Sequence, residues 1–437
     1  MTSSNRKLRF IPLTAIIFFT VSGGPYGLEP LVSYTGFGSA LFLLMIVPLL
    51  WDIPTILTVF ELNGMMPVKG GYYQWVKRAL GLRFAFYNGW WTWLYSFVDL
   101  AIYPLLFIQY ASFFIPAIAV YKIPLCLIII WSGAWLNIRG LVPVGKMSLL
   151  LSTVVLVPFI LLFAKSFLDY KGITHLPEVS FKEIESPSLG MAIYTVMWNF
   201  IGWDSATTYA EEVHQPARTY IISTLIAFIG ICSVYILSIL VTQRSGIDVH
   251  LLTQQGFPVL GVKVWGKWLG VLLAIGGMAS SLGIFFSVLL STSRLPKVMA
   301  DDHLLPAKLQ TEHPKYKTPY LSILVSAAIV SGMIFWTFAD LIFIDVSLYS
   351  AGLLLEFISL LVFRIKAPDQ YRPFKIPLNI TGICLMIVLP LSVLGFAIGG
   401  ICMTNNRNFS SVVFALLALL SAEIIWQFIQ IYRKLVK

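Results

Sequence analysis

Two apolar segments of this chain are long enough to cross a bilayer, yet each is broken near its middle by residues that resist a helix. The first break reads Ser22-Gly23-Gly24-Pro25-Tyr26-Gly27-Leu28-Glu29, and the second reads Asn199-Phe200-Ile201-Gly202-Trp203-Asp204-Ser205. Backbone N–H and C=O groups freed by such a break find no partner in hydrocarbon, so the break must face protein or a bound solute. A chain built this way is expected to carry a solute across a membrane. Its composition agrees, since 58% hydrophobic and only 11% charged residues are incompatible with a soluble domain of 437 residues.

The apolar runs approach the roughly 20 residues that span a bilayer as helix, and they lack the short alternating strands of a porin-type barrel. The pattern predicts an all-α membrane protein with twelve spans. They fall near 10–35 (broken), 38–61, 84–116, 123–138, 145–166, 188–212 (broken), 219–242, 264–292, 319–338, 341–363, 376–402 and 409–432. The stretch from Phe10 to Val21 has no small-residue cleavage site after it and resumes past the glycines, so it reads as the first span rather than a signal peptide.

A net charge of +10 is compatible with nucleic-acid binding, but its distribution argues for membrane orientation instead. With a cytoplasmic N-terminus, 22 of the 30 Lys and Arg residues fall on inner segments and 8 on outer ones. The richest inner stretches hold Arg6, Lys7 and Arg9; Lys69, Lys77, Arg78 and Arg83; Arg294 to Lys317; and Arg364 to Lys375. Both termini are therefore expected in the cytoplasm, with the chain multi-pass in the cell membrane. Cys126, Cys232, Cys384 and Cys402 lie in or at the ends of spans with no paired spacing, which reads as buried free thiols. His175, His214, His250, His303 and His313 all fall in predicted loops, so an intramembrane histidine relay is not expected.

The broken spans are the first and the sixth. That spacing predicts two five-helix repeats of opposite orientation, 10–166 and 188–363, followed by two further helices over 376–432 in a single polytopic domain.

Several segments then carry a family resemblance. Glu61-Leu62-Asn63-Gly64-Met65-Met66-Pro67 with Gly70-Gly71-Tyr72-Tyr73-Gln74-Trp75-Val76, and Glu211-Glu212-Val213-His214-Gln215-Pro216-Ala217-Arg218, resemble the amino acid–polyamine–organocation transporters. So do Ser293-Arg294, Met299 to Pro306, His313-Pro314, Thr318-Pro319 and Tyr371-Arg372-Pro373-Phe374-Lys375-Ile376-Pro377. Gly24 to Glu29, Asp99-Leu100-Ala101-Ile102-Tyr103-Pro104, Trp203-Asp204-Ser205, Leu348-Tyr349 and Leu355-Glu356-Phe357 are most similar to the plant and protist polyamine transporters of the L-type branch. The resemblance implies a LeuT-like fold with discontinuous helices 1 and 6, alternating access, and proton-coupled uptake of polyamines or amino acids. Many members carry a lysine midway along the fifth helix, whereas the stretch from Met147 to Ala164 has none, a difference that favours positively charged cargo. Ile201 and Gly202 are closer to the amino-acid branch and keep a neutral L-amino acid as the alternative cargo.

Candidate residues follow from the chemistry. Gly23, Gly24 and Gly27 are expected to offer free N–H groups to a carboxylate, with Tyr26 beside them and Glu29 either meeting a substrate ammonium or complementing a helix dipole. Trp91, Tyr95, Asp99 and Tyr103 recur every fourth residue and share a slowly drifting helix face. Asp99 on that face needs a partner, which an organic cation between aromatic rings or a neighbouring helix would supply. Asp204, with Trp198, Gly202 and Trp203 nearby, suits an ammonium, a transported proton or a helix cap. Asp345, Tyr349, Gly352 and Glu356 form one face of the tenth span, making Asp345 and Glu356 candidates for proton coupling beside Asp204. Glu61, Glu211 and Glu212 are read as gating or loop-anchoring groups. Ser280 and Ser281 are candidates to complete a sodium site or to pack helices. No cofactor, metal or partner subunit is expected. A nutrient receptor of the same fold remains a second class, and no nucleophilic or metal signature supports an enzyme.

Overall fold

The computed structural model describes residues 8–169, 177–182, 184–335, 338–402 and 409–435, so Arg6, Lys7 and His175 lie outside the described residues. The helices are α1 (Phe10–Val21), α2 (Glu29–Val47), α3 (Ile53–Met65), α4 (Gly71–Leu80), α5 (Leu82–Ala111) and α6 (Lys122–Ile138). They continue as α7 (Leu141–Leu168), α8 (Ser186–Trp198), α9 (Pro216–Ser245), α10 (Val249–Gln255), α11 (Phe257–Trp265) and α12 (Lys267–Thr292). The last are α13 (Leu295–Asp301), α14 (Tyr320–Met333), α15 (Phe338–Lys366), α16 (Ile380–Cys402) and α17 (Phe409–Leu435). Among the described residues there is no β-strand, only an isolated parallel bridge between Leu8 and Val213. Eight helical runs are long and apolar enough to cross a membrane, and α1, α6 and α14 are shorter apolar helices.

Both interruptions are present. Helix α1 stops at Val21 and α2 starts at Glu29. The expected boundary between the first and second spans falls at Gly36, whose φ of 74° turns the chain sharply inside α2. Beyond it the helix runs through a π-turn at Pro48–Asp52 into α3. The second interruption follows Trp198, and the segment beyond it, Ser205–Glu212, is a 3-10 helix rather than the α-helix the hydropathy suggested. The Thr207 and Thr208 hydroxyls donate to the carbonyls of Asp204 (2.6 Å) and Ser205 (2.9 Å), local bonds that compete with α-helical pairing.

Three segments read as loops are helical. The Gly70-Gly71 motif opens α4, because Gly70 adopts a left-handed φ of 90° and the following turns bury Tyr72, Tyr73, Trp75 and Val76. His250 lies in α10, whose first turn is capped by the Asp248 carboxylate accepting from the His250 amide at 2.9 Å. Helix α13 follows α12 almost directly. The free thiols divide: Cys126 is buried, Cys232 is partly buried, and Cys384 is exposed on α16. Helix α12 packs against α5 and α7, α15 against α5, α1 against α7 and α9, and α2 against α8, so the two interruptions meet at the centre of the bundle.

Candidate substrate site

The backbone of the breaks is satisfied from within the protein. The Gly23 amide donates to the Phe18 carbonyl (2.9 Å), the Gly24 amide to Ser22 Oγ (3.0 Å) and the Gly27 amide to Glu29 Oε2 (2.7 Å). The free amides expected at these glycines are thus occupied. The glycines serve close approach instead. A Cβ on Gly27, at φ +97°, would sit 2.8 Å from the Trp198 ring, and one on Gly202, at φ +98°, would sit 2.9 Å from the Thr20 carbonyl. Each break is therefore moulded against the edge of the other. Tyr235 of α9 ties them together, its hydroxyl bonding Ser22 Oγ at 2.5 Å and the Asn199 carbonyl at 3.0 Å.

Carboxylates gather beside this junction. Asp99 on α5 accepts from the Tyr103 hydroxyl (2.5 Å) and from Trp198 Nε1 (3.3 Å), and the Tyr103 and Trp198 rings stack with centroids 6.4 Å apart. Asp345 of α15, a helix packed on α5, lies within electrostatic reach of Asp99, and neither of its oxygens has a hydrogen-bond partner. Asp204 makes no side-chain cap on the helix that follows it and accepts from the Tyr349 hydroxyl at 3.0 Å. Glu356 lies beside Asp204, leaving its Oε2 without a partner. Tyr95 meets Tyr349 edge to face with centroids 5.5 Å apart, and the Gly202 amide points at the Tyr349 hydroxyl (3.4 Å). All four carboxylates are buried, and none is in an ion pair among the described residues. Their surroundings supply neutral donors and aromatic faces, the setting in which an organic cation is attracted without competition from a protein cation.

Other expected members point elsewhere. Glu29 accepts from the Gly27 amide and from the Tyr110 hydroxyl (3.0 Å), complementing the start of α2. Tyr26 donates to the Leu273 carbonyl (2.6 Å) and packs on Tyr110 and Phe159. Tyr110 lies on α5 about 16 Å beyond Asp99 at the helical rise, so Glu29 and Tyr26 form a separate cluster. Trp91 has drifted off the Asp99 face and donates to the Leu419 carbonyl of α17 at 3.0 Å. Trp203 turns away from Asp204 and donates to Asp52 Oδ1 at 3.0 Å. Ser281 bonds the Gly277 carbonyl in its own helix at 2.9 Å, while Ser280 Oγ packs against Gly23.

Near the start of α1, polar contacts fasten the segment after the second break. The Leu8 amide donates to the Glu212 carbonyl (2.9 Å), the Glu212 side chain pairs with Arg294 (3.1 Å), and Glu211 accepts from the Lys69 amide (3.0 Å). Glu312 pairs with Lys297, whose ammonium holds the Glu312 carboxyl below its usual range. Glu61 is more deeply set. It accepts from Arg364 Nε and Nη2 at 2.5 and 2.6 Å and from the Ile376 amide at 2.8 Å, and its carboxylate also faces Arg372 at 3.0 Å. A cavity of about 590 Å³ opens at this end, lined by Arg364, Pro368 and Lys375 to Thr381 rather than by the breaks.

Sequence reasoning missed Asp52, Tyr110 and Tyr235. The signals were a carboxylate inside an apolar run for Asp52 and polar rings amid aliphatic residues for the tyrosines.

A helical membrane-crossing chain with two broken helices joined at buried carboxylates has the build of a solute carrier. The sequence pattern described as amino acid permease matches residues 8–420, and the chain belongs to that family. It is 32% identical over 393 residues to the polyamine transporter RMV1 of Arabidopsis thaliana, covering 89% of this chain and 80% of that one. It is 31% identical over 403 residues to the polyamine transporter PUT1 of Oryza sativa subsp. japonica, covering 90% and 74% respectively. A probable polyamine transporter of Arabidopsis thaliana is 33% identical over 403 residues, 89% of this chain and 81% of its own. These relatives are transporters, not enzymes, and the chain is a multi-pass membrane protein.

Proposed function

We propose that this permease imports polyamines, with cationic amino acids as the next cargo, by proton symport and alternating access. One observation carries the reading. Four buried carboxylates from α5, α15 and the second break form two pairs, Asp99 with Asp345 and Asp204 with Glu356, about 16 Å apart along α15, and no Lys, Arg or His is paired to them among the described residues. In hydrocarbon surroundings such groups call for a positive guest. The names of the relatives support the polyamine choice.

In this reading the cargo ammonium binds between Asp99 and Asp345, the latter with no donor on either oxygen, with Tyr95, Tyr103 and Trp198 presenting ring faces. Asp204 and Glu356, side by side, hold the transported proton or a second ammonium between them. The chain forms a LeuT-like bundle of twelve spans, with 10–166 and 188–363 as inverted repeats, in the cell membrane with both termini cytoplasmic. The junction is closed in this conformation, because every carboxylate there is buried. Cargo then leaves to the cytoplasm when the contacts Glu211 to Lys69 and Glu212 to Arg294 part.

The test is uptake of labelled spermidine, arginine and leucine into proteoliposomes, with inward proton and sodium gradients imposed separately. Spermidine accumulating under the proton gradient, with arginine a weaker competitor, is the expected result. Leucine competing as well as spermidine would replace this reading by a neutral amino acid permease, and binding without accumulation would replace it by a receptor.

A further inference from the structure

Asp52 lies midway along the helix that runs from Gly36 to Met65, an element that carries none of the carboxylates assigned to cargo. It is fully buried, with one oxygen accepting from Trp203 Nε1 and the other, Oδ2, without any partner. It closes the π-turn Pro48–Asp52, a local widening of a helix that recurs at functional sites. Trp203 belongs to the second break, immediately before Asp204. Its carbonyl is gripped by the Tyr220 hydroxyl, and its neighbour Gly202 faces the Tyr349 hydroxyl. A displacement of the break therefore reaches Asp52 through one indole.

The groups facing Asp52 are neutral. Cys232 and Tyr235 of α9 lie within its electrostatic reach. Helix α16, which packs on the π-turn, carries no charged residue. On α3 the acidic Glu61 is engaged with Arg364, and on α2 Glu29 is engaged with Tyr110. Among the described residues nothing in these surroundings answers a negative charge on Oδ2. An apolar or amide side chain would pack at this place without that cost.

We propose that Asp52 is a proton-carrying site that loads and unloads with the movement of the second break, with Trp203 as the link. In the closed conformation the proton sits on Oδ2 as a carboxyl O–H. When the break shifts and the indole withdraws, water enters, the O–H bond cleaves heterolytically and the proton passes to that water, leaving the carboxylate hydrated. Reprotonation from the opposite side accompanies return. The proposal rests on the transporter reading for its direction but not for the state of Asp52.

Two measurements test it. In proteoliposomes, Asp52→Asn is expected to keep spermidine exchange between equal concentrations within about threefold of the parent. It should lose at least about tenfold of the accumulation driven by an imposed proton gradient, with Asp52→Glu restoring part of it. Undiminished gradient-driven accumulation by Asp52→Asn overturns the proposal. Infrared difference spectroscopy of the purified full chain in lipid nanodiscs is independent of cargo. A protonated-carboxyl band missing in Asp52→Asn, and shifted in Trp203→Phe by loss of the indole bond, is expected. A band unchanged in Asp52→Asn overturns the proposal, even if spermidine is not the cargo. Failure of wild-type spermidine uptake with the infrared band intact removes only the cargo assignment.

Discussion

Replacing Asp99 by asparagine changes one oxygen for an NH2 group and removes a formal charge from the centre of the bundle. The carbonyl oxygen of asparagine still accepts from the Tyr103 hydroxyl and Trp198 Nε1, the two donors that orient Asp99. The helix and its packing should therefore survive, and the loss falls on the guest. A charge-assisted hydrogen bond is worth about 1.5–3 kcal/mol net of water. At about 1.4 kcal/mol per tenfold, its removal weakens spermidine by roughly ten- to a hundredfold. The lower part of that range is expected, because Asp345, within electrostatic reach of Asp99, remains with both oxygens unfilled. Tyr103→Phe keeps the charge but strips its main positioning donor, an effect of about 1 kcal/mol or fivefold. The double variant should fall short of the product of the two, since the residues share one bond. Initial uptake rates against spermidine concentration, in vesicles matched for incorporated protein, give the KM values. A KM for Asp99→Asn within twofold of the parent would refute the assignment of this face to the cargo.

Three further outcomes are expected. Glu61→Gln leaves Arg364 and Arg372 with a neutral partner in a buried place, costing about 3–5 kcal/mol, and should lower the denaturant midpoint far more than it changes spermidine affinity. Gly27→Ala strains a left-handed residue and drives a methyl group to 2.8 Å from the Trp198 ring; uptake should drop about tenfold or more, read in the same vesicles. The Glu312 carboxyl is lowered by its bond to the Lys297 ammonium, so the pair's contribution is complete above the ordinary glutamate range and is lost as pH falls through the lowered value. Hydrogen exchange across 307–313 should accordingly accelerate only as pH falls below the ordinary glutamate range, and Glu312→Gln should show the faster exchange already at neutral pH.

What was legible in the sequence is the consequence of the bilayer as solvent. Lengths of apolar run, glycines at both breaks and acidic residues inside spans are each too costly in lipid to occur idly, so the helices, the interruptions and the faces bearing Asp99 and Asp345 could be read directly. The 3-10 segment after Asp204 and the helix beginning at Gly71 could not, because each depends on local bonds and burial that hydropathy does not register. Side-chain direction was less legible still. A four-residue step drifts by about 40° on a helix, which carries Trp91 from the Asp99 face round to α17. At the breaks no periodicity applies at all. Trp203 and Asp204 are neighbours in sequence, yet one answers Asp52 and the other Tyr349, so the unwound backbone sends adjacent side chains to different helices. That divergence gives the second break its leverage. A single shift of a few residues changes the surroundings of Asp204 on the cargo side and of Asp52 behind it at once, which is the physical requirement for coupling two binding events through one moving element.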